Sequence, residues 1–567
     1  MSLRGAGQAS NLDPHNPPGR AFNVRAWLLL AILIAAAVRL WSLTAAPPGL
    51  NQDEACNAWN AWCLLQTGRD QAGAVWPVFY TRGLGDNRST LFLYLLLPFQ
   101  ALFGLSVWST RLPVALAGIA FLLLVYWLGQ RLFNRWAGLA AAYLLALNPW
   151  AIQLSRWGIE SCLTGVSVAG ALAAALWAGL PLPGAAPRNS WWRAALAGVF
   201  AGVCCYGYPA VRLFLPAFFG LLILVFLPRW IASLRDAAKR PAVLAWIAGI
   251  AGTLGPLAYQ HVVHSEEIGR RAAARWVWSA DDSLPMKIGK AAARYGPHFG
   301  ADFLFLQGDH YEISWPGGHG VFPPYSVLLM VVGGAFLLRN VREQAGARLL
   351  LVWVLAYPLA DCLHEHMSSH VLRGAPGIAP LVLVAAIGLF EIVQFLHRRR
   401  LKSVLLVTCV GLGGLAVEQH GRFLYDYFVT RNRETPILHG YHADLMEACG
   451  WLRGRWLDFD TVVVTPTDMT QPYSIMMVGL NYEPQRWFAE PREMSTFHEW
   501  DIYLRVGRLR FPIDSPEAEL ERLRVTSFSG RILTIGRPGE VTVGELLHVV
   551  RWHNGQVALE LREIVFN

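Results

Sequence analysis

The sequence predicts a polytopic α-helical membrane protein of about eleven transmembrane helices, followed by a C-terminal domain of α/β or α+β class. Three observations lead to this fold class. Of the 567 residues, 54% are hydrophobic and only 15% are charged, whereas soluble globular chains contain about a quarter charged residues. Apolar runs recur up to about residue 418. Beyond that point the composition changes to mixed polar and apolar.

The net charge of +9 does not indicate nucleic-acid binding. The Arg and Lys residues fall in short clusters between apolar runs, which is the pattern of membrane topology and not of a basic binding face. We therefore expect membrane lipid around the chain and no nucleic-acid partner.

Residues 1–25 are rich in Pro, Gly, Asn and Arg, and we expect a disordered cytoplasmic segment there. The apolar run from Ala26 to about Thr44 is long enough to cross a core of about 30 Å. It lacks a convincing cleavage site, so we interpret it as a transmembrane helix and not as a signal peptide.

An outer loop at 45–111 follows, with a helical piece at 55–66 and a short apolar piece at 91–103 that we expect to lie in the membrane interface. The other spans are expected at 112–130, 137–153, 161–181, 194–208, 213–228, 242–260, 324–338, 349–363, 374–395 and 403–418.

Basic residues in the short connections give the orientation. With the N-terminus inside, every basic cluster falls on the cytoplasmic side, as the positive-inside rule requires. These clusters are Arg131 and Arg135; Arg188 and Arg193; Arg229, Arg235, Lys239 and Arg240; Arg339, Arg342 and Arg348; and Arg398, Arg399, Arg400 and Lys402. The transmembrane domain then covers 26–418. Its outer loops at 45–111 and 261–323 and the C-terminal domain at 419–567 are extracytoplasmic, as are the turns at 155–161, 206–212 and 364–373.

The C-terminal domain has strand-like runs at 461–465 and 556–561 and a helical stretch at 441–452. About 150 residues make one ordinary domain. We find no motif in it that is typical of chemistry, and no internal repeat is evident in the chain.

The adjacent acids Asp53 and Glu54 follow the first apolar run, where water can reach them. One interpretation is structural, since acidic residues favour the first turn of a helix and Asp53 could cap a helix that starts at Ala55. The other is catalytic, because charged groups at a membrane boundary mark functional sites.

Two further outer segments contain candidate site residues. Arg156 and Glu160 lie four residues apart and could simply pair with each other on a helix, or one of them could face the same cavity as Asp53. In the next outer turn, Tyr206 and Tyr208 fit an aromatic belt. We predict that Tyr206 and Tyr208 also contact substrate. Arg212 is the candidate contact with a lipid phosphate, because guanidinium groups bind phosphate through two parallel hydrogen bonds.

The turn at 364–373 contains His364, Glu365, His366, His370 and Arg373. These residue types can bind metal, but their spacing matches no standard zinc motif. We favour a polar cavity rim without a metal, in which His370 and Arg373 contact substrate.

Taken together, these features resemble the GT-C glycosyltransferases, in particular the protein O-mannosyltransferases and the lipid A aminoarabinose transferase. The likeness covers about 26–220 well and continues more loosely to about 395. It rests on the early acidic pair, on Leu102-Phe103-Gly104, on Arg111-Leu112-Pro113 and on Ser155-Arg156 after Asn148-Pro149-Trp150.

The resemblance implies an inverting transfer of a sugar from a polyprenyl-phosphate donor to an acceptor hydroxyl on the extracytoplasmic face. In that family the residue matching Asp53 is the general base, with Glu54 as its neighbour. Glu160 matches a second acidic position, where many members have Asp. No cofactor is implied, and metal dependence is left open. The acceptor class, protein, lipid or glycan, is also open, and the expected location is a bacterial inner or plasma membrane.

Two other functions remain as alternatives. A lipid or glycan transporter would bind its substrate without cleaving a bond. A non-catalytic scaffold would use the external domain as its working part.

Overall fold

The computed structural model describes residues 23–185, 190–263, 276–365, 369–469, 471–497 and 500–567. The chain forms a helical bundle, which is followed by a domain built on a mixed β-sheet. The disordered segment expected at 1–25 lies outside the described residues as far as residue 22.

Helices make up the first part of the chain, and the hairpin of β1 and β2 follows α2. The helices are α1 Val24–Leu40, α2 Gln52–Thr67, α3 Leu91–Phe103, α4 Val107–Leu132, α5 Arg135–Leu147, α6 Pro149–Leu154, α7 Thr164–Trp177, α8 Trp191–Cys204, α9 Pro209–Val225, α10 Leu227–Arg235, α11 Arg240–Val263, α12 Leu284–Tyr295, α13 Ser326–Asn340, α14 Ala345–Ala356, α15 Ile378–Arg398 and α16 Lys402–Tyr425. The hairpin strands are β1 Tyr80–Gly83 and β2 Asp86–Ser89.

A helix lies at each predicted span, but the count of eleven transmembrane helices is not confirmed. Among the described residues, five helical segments have the length and composition to cross a membrane, or six if the bent pair α9 and α10 is one span. Polar residues divide some apolar runs into shorter helices. At 137–153, for example, the Asn148 side chain accepts a hydrogen bond from the Ala151 amide and starts α6 directly after α5.

Glycines allow pairs of helices in the bundle to pack closely. A Cβ atom added to Gly333 of α13 would lie 2.0 Å from the Val384 carbonyl oxygen of α15, and one added to Gly388 would lie 1.9 Å from the Leu329 carbonyl oxygen. Only a residue without a side chain fits at such a crossing.

The C-terminal domain has a sheet of seven strands among the described residues, in the order β4-β5-β6-β3-β7-β9-β8. Strand β3 is parallel to β6 and to β7, and the other pairs are antiparallel. The strands are β3 Thr461–Val464, β4 Arg492–Phe497, β5 Trp500–Val506, β6 Leu509–Arg510, β7 Gly530–Gly536, β8 Glu545–Arg551 and β9 Val557–Phe566. The helices are α17 Thr435–Gly440, α18 Ala443–Leu452, α19 Tyr473–Gly479, α20 Pro484–Ala489 and α21 Pro516–Val525.

The sheet confirms the expected C-terminal domain of mixed class, and the structure adds that its core includes α2. Trp59 of α2 is fully buried, and its ring packs edge-on against Trp487 at a centroid distance of 5.6 Å. The Trp487 indole donates to the Gln71 carbonyl oxygen (2.9 Å), and the Gln471 amide donates to the Leu84 carbonyl oxygen (3.0 Å). The bundle and the C-terminal domain therefore meet around α2. We call this end of the bundle the domain end; it contains the start of α2, the hairpin of β1 and β2, and Glu160.

Candidate active site

The start of α2 is capped by Asn51 and not by Asp53, so that detail of the structural interpretation is wrong. The Asn51 side chain accepts a hydrogen bond from the Asp53 amide (3.0 Å), and Glu54 accepts one from the Asn51 amide (3.1 Å). This capping box satisfies the first helical amides. The Asp53 side chain is therefore left free to point away from the helix end.

Glu54 lies in the protein interior and not in a cavity. Its carboxylate is fully buried and forms a bidentate pair with Arg111, with both nitrogen–oxygen distances at 2.8 Å. The Gly158 amide also donates to it, at 2.7 Å. A fully buried, fully paired carboxylate is a structural anchor, so we leave Glu54 out of the proposed catalytic set.

Arg156 is also buried, with partners that lie in the protein backbone. Its guanidinium donates to the carbonyl oxygens of Val38, Arg39, Ser42 and Ala46 at 2.8–3.2 Å. These carbonyls belong to the end of α1 and the turn after it, where the last carbonyls of a helix lack intrahelical amide donors; the Ser42 carbonyl also accepts from the amides of Ala45 and Ala46. Arg156 thus holds the connection that leads to α2, and it does not face the cavity.

Asp53, Arg88 and Glu160 form the charged centre of the domain end. Nη1 of Arg88 lies 2.8 Å from Oδ1 of Asp53, and Nη2 lies 3.1 Å from Oε1 of Glu160. The amide of Asn57, one turn after Asp53 on α2, donates to Oε2 of Glu160 at 2.8 Å. Hairpin strand β2 presents Arg88, which pairs across the hairpin with Thr81. One guanidinium therefore joins two carboxylates that are far apart in the sequence.

Burial of the triad strengthens the interaction between its charges. The side chains of Arg88 and Glu160 are each 11% exposed, and that of Asp53 is 37% exposed. Burial on its own lowers the pKa of Arg88, but the negative charges of Glu160 and Asp53 outweigh it and hold the pKa well above its ordinary value. Arg88 is therefore a permanent cation between two acids.

A cavity of about 550 Å³ opens beside this triad. Its bundle side contains Asp53, Arg88, Glu160 and Tyr208. The opposite wall comes from the C-terminal domain and is mostly apolar: Pro466, Met469, Pro472, Ile502, Tyr503, Phe511, Pro512 and Ile513. A volume of this size is in the range of small-molecule sites, and its two walls differ in chemistry.

Two arginines lie directly behind the cavity wall. Arg212 donates to the Ser89 hydroxyl at 2.6 Å, and Ser89 lines the cavity. Arg373 pairs with buried Asp361, its Nε 2.7 Å from Oδ1, and it also hydrogen-bonds Tyr208, which faces the cavity. Each guanidinium is therefore hydrogen-bonded to a hydroxyl group of a residue that lines the cavity, so two positive charges lie close behind the wall.

The two other predicted contacts point elsewhere. The Tyr206 hydroxyl donates to the Thr253 carbonyl oxygen at 2.8 Å. The His370 ring accepts a hydrogen bond from the Leu372 amide (3.1 Å) and lies 3.5 Å from Asp309. Burial lowers the pKa of His370, which favours its neutral form. Neither ring lines the cavity.

The turn at 364–373 contains residue types that can bind a metal ion. Within the described ranges, no group of three or more His, Cys, Asp or Glu side chains could hold a metal ion. His366 lies outside the described residues.

Sequence reasoning missed Arg88 and the apolar wall. A signal for Arg88 existed, because it lies three residues before apolar α3, in the loop that also contains Asp53. The wall residues had no such signal, since Met469 and Phe511 look like ordinary core residues until the domain is placed against the bundle.

Comparison with known proteins agrees with this architecture. The family model described as dolichyl-phosphate-mannose-protein mannosyltransferase matches residues 87–252. No curated protein sequence matches the chain significantly.

Solved structures match over nearly the whole chain. The crystal structure of ArnT from Cupriavidus metallidurans bound to undecaprenyl phosphate superposes with a TM-score of 0.55 at 13% identity, covering 95% of this chain and 98% of that one. The apo state of ArnT gives a TM-score of 0.54 at 12% identity, with the same coverage of both chains. The oligosaccharyltransferase of Archaeoglobus fulgidus has a TM-score of 0.49 at 13% identity, covering 91% of this chain and 70% of that one. The chain therefore has the ArnT fold, and the resemblance to the GT-C superfamily is confirmed.

Proposed function

We propose that this integral membrane protein of GT-C fold is a glycosyltransferase that moves a sugar from a polyprenyl-phosphate donor to an acceptor hydroxyl. The observation that supports this most directly is the Asp53–Arg88–Glu160 triad at the cavity between the bundle and the C-terminal domain. A carboxylate beside a fixed cation can accept a proton while negative charge develops nearby.

The donor class is supported by the similarity to ArnT, which has been crystallised with undecaprenyl phosphate. In this chain an apolar groove of about 320 Å³ follows α11 and is lined by Ile247, Ile250, Ala251, Leu254, Gly255 and Ala258. One turn beyond Ala258, the His261 ring lies 3.0 Å from the Tyr80 hydroxyl, and Arg212 lies 3.2 Å from the same hydroxyl. We place the polyprenyl tail in the groove and its phosphate between Arg212 and Arg88.

Bond changes in the proposed reaction are simple. The acceptor oxygen attacks the anomeric carbon from the face opposite the phosphate, and the bond between that carbon and the phosphate oxygen breaks. The electron pair leaves with the phosphate, so no proton donor is needed if arginines stabilise its charge. Asp53 takes the hydroxyl proton, and the configuration at the anomeric carbon inverts. Glu160 holds Arg88 in place beside Asp53 and the donor phosphate.

The walls suggest which substrate lies on which side. The tail must come from the membrane, so the donor lies against the bundle and the acceptor lies against the apolar wall of the C-terminal domain. With the orientation inferred from the basic clusters, we propose that this face is extracytoplasmic, and we keep the bacterial inner or plasma membrane as the proposed location.

Transfer of radiolabelled sugar from polyprenyl-phosphate donors in proteoliposomes tests the proposal. Loss of a general base reduces rates by about 10²–10⁴-fold, so we expect that reduction for Asp53→Asn, with donor binding retained. Asp236→Asn is a matched control, because Asp236 is also 37% exposed and also paired with a cation, Lys239 at 3.0 Å. Asp236 lies after α10, outside the cavity lining.

Two results would contradict the proposal. If Asp53→Asn transfers sugar as fast as the Asp236→Asn control, Asp53 is not the base. If the native protein transfers sugar from no donor but moves a lipid-linked glycan across the bilayer, the transporter alternative is correct.

A further inference from the structure

Helix α12, Leu284–Tyr295, has an exposed apolar face that the proposed chemistry does not use. None of its residues is buried in the protein, and Leu284 and Ile288 are 70% and 60% exposed. Large aliphatic side chains of a water-facing helix are rarely exposed in this way side by side.

The sequence of α12 is amphipathic. Leu284, Ile288, Ala291 and Tyr295 recur at the helical period and share one face. The basic residues follow on an adjacent strip: Lys287, Lys290 and Arg294. Two of the four lysines in the whole chain are in this helix. Lys290 is paired with Asp282, at 2.5 Å, and Lys287 lies on the same strip.

The position of α12 fits a membrane boundary. At its C-terminal end, the Tyr295 hydroxyl donates to the Leu355 carbonyl oxygen at 2.6 Å. Leu355 is in the last turn of α14, a helix of the apolar bundle, and its side chain is 52% exposed. An aliphatic side chain exposed on the outside of a transmembrane bundle faces lipid, so Tyr295 lies at the level where that lipid-facing surface ends.

We infer that α12 lies in the interface of the bilayer and binds its phospholipids. The face with Leu284 and Ile288 packs on the acyl chains, and Lys287 reaches the lipid phosphates with its long flexible stem. The occupant of the exposed face is therefore the same bilayer that the bundle spans. This inference does not depend on the proposed transfer reaction.

Anchoring of α12 has a consequence for the site. Directly after the helix, buried His298 bonds Asp361 at 2.9 Å, and Asp361 also holds Arg373 behind the cavity wall. A helix fixed in the interface keeps this loop, and with it Arg373, at the level of the lipid headgroups.

Depth-dependent fluorescence quenching tests the inference on the full-length protein in nanodiscs. Cys409 is the exposed one of the eight cysteines, so Cys409→Ser gives a background without an exposed thiol. A fluorophore is then attached at Ile288→Cys, on the apolar face, or at Ala293→Cys, about 140° around the helix. Both positions are exposed, so neither substitution removes packing.

We expect lipids brominated in the acyl chains to quench the label at position 288 about twofold more than the label at 293. Aqueous iodide should give the opposite order. Iodide quenching of position 288 as strong as that of 293 would show that the face is in water and would overturn the inference. Protection of position 288 from both quenchers would overturn it too, because protein would then cover the face.

Discussion

Substitution of Arg88, the cation that Asp53 and Glu160 share, should lower the free energy of unfolding by an amount that reports the contribution of the triad. In Arg88→Gln, Glu160 loses a partner in a pair whose side chains are both 11% exposed, and breaking a buried pair costs about 3–5 kcal/mol. The Asp53 contact adds at most about 1 kcal/mol, because Asp53 is 37% exposed and water screens it. We therefore expect a loss of about 4 kcal/mol in the free energy of unfolding at neutral pH.

A double-mutant cycle with Glu160→Gln measures the coupling directly. Unfolding in mixed micelles is followed for the native protein, both single variants and the double variant. The double variant should recover most of the loss of Arg88→Gln, because no buried charge is then unpaired. The loss should also shrink at low pH, where the unpaired carboxylates take up protons.

Arg69→Gln is the control for this cycle, because Arg69 is an exposed arginine of the same loop; it should change the unfolding free energy by less than about 0.5 kcal/mol. A coupling energy below about 0.5 kcal/mol between Arg88 and Glu160 would refute the reasoning.

Three further predictions concern the scaffold. Gly333→Ala should destabilise the bundle by about 1–3 kcal/mol, because its Cβ would overlap the Val384 carbonyl, whereas Gly334→Ala, whose Cβ meets nothing within 4 Å, should not; thermal unfolding of the two variants compares them. Arg156→Lys should lower the unfolding free energy by about 2–3 kcal/mol, since one ammonium cannot serve four carbonyls; equal stability of variant and native protein in mixed micelles would contradict the clamp. Burial lowers the pKa of His442 to about 4, so the fold favours its neutral form. Stability from this group is complete above the unfolded pKa of about 6.5 and decreases by about 3 kcal/mol as the pH falls towards 4. His442→Asn, which suits the left-handed backbone there (φ 45°), should lack that decrease in a pH series of unfolding curves.

Much of the helical architecture was determined by the sequence alone. The apolar piece at 91–103 forms α3 with those bounds, and each predicted span contains a helix, because apolar runs in a membrane must satisfy their backbone hydrogen bonds internally. The position of Asp53 at the cavity also depends on local sequence, because Asp53 lies in the first turn of a helix that begins at the domain end. Glu160 and Tyr208 were also predicted, from turns on the same side.

Tertiary structure alone decided which charged side chains serve the site and which hold the scaffold. Glu54 is adjacent to Asp53, yet it turns inward to Arg111, 57 residues away. Arg156 donates to carbonyls at the end of α1 and in the turn after it, more than 100 residues away, and Arg88 meets Glu160 across 72 residues. The sequence shows where charges occur along the chain, but burial and partners depend on how distant segments pack. The same limit applies to the apolar wall of the cavity, which exists only because the C-terminal domain packs on α2.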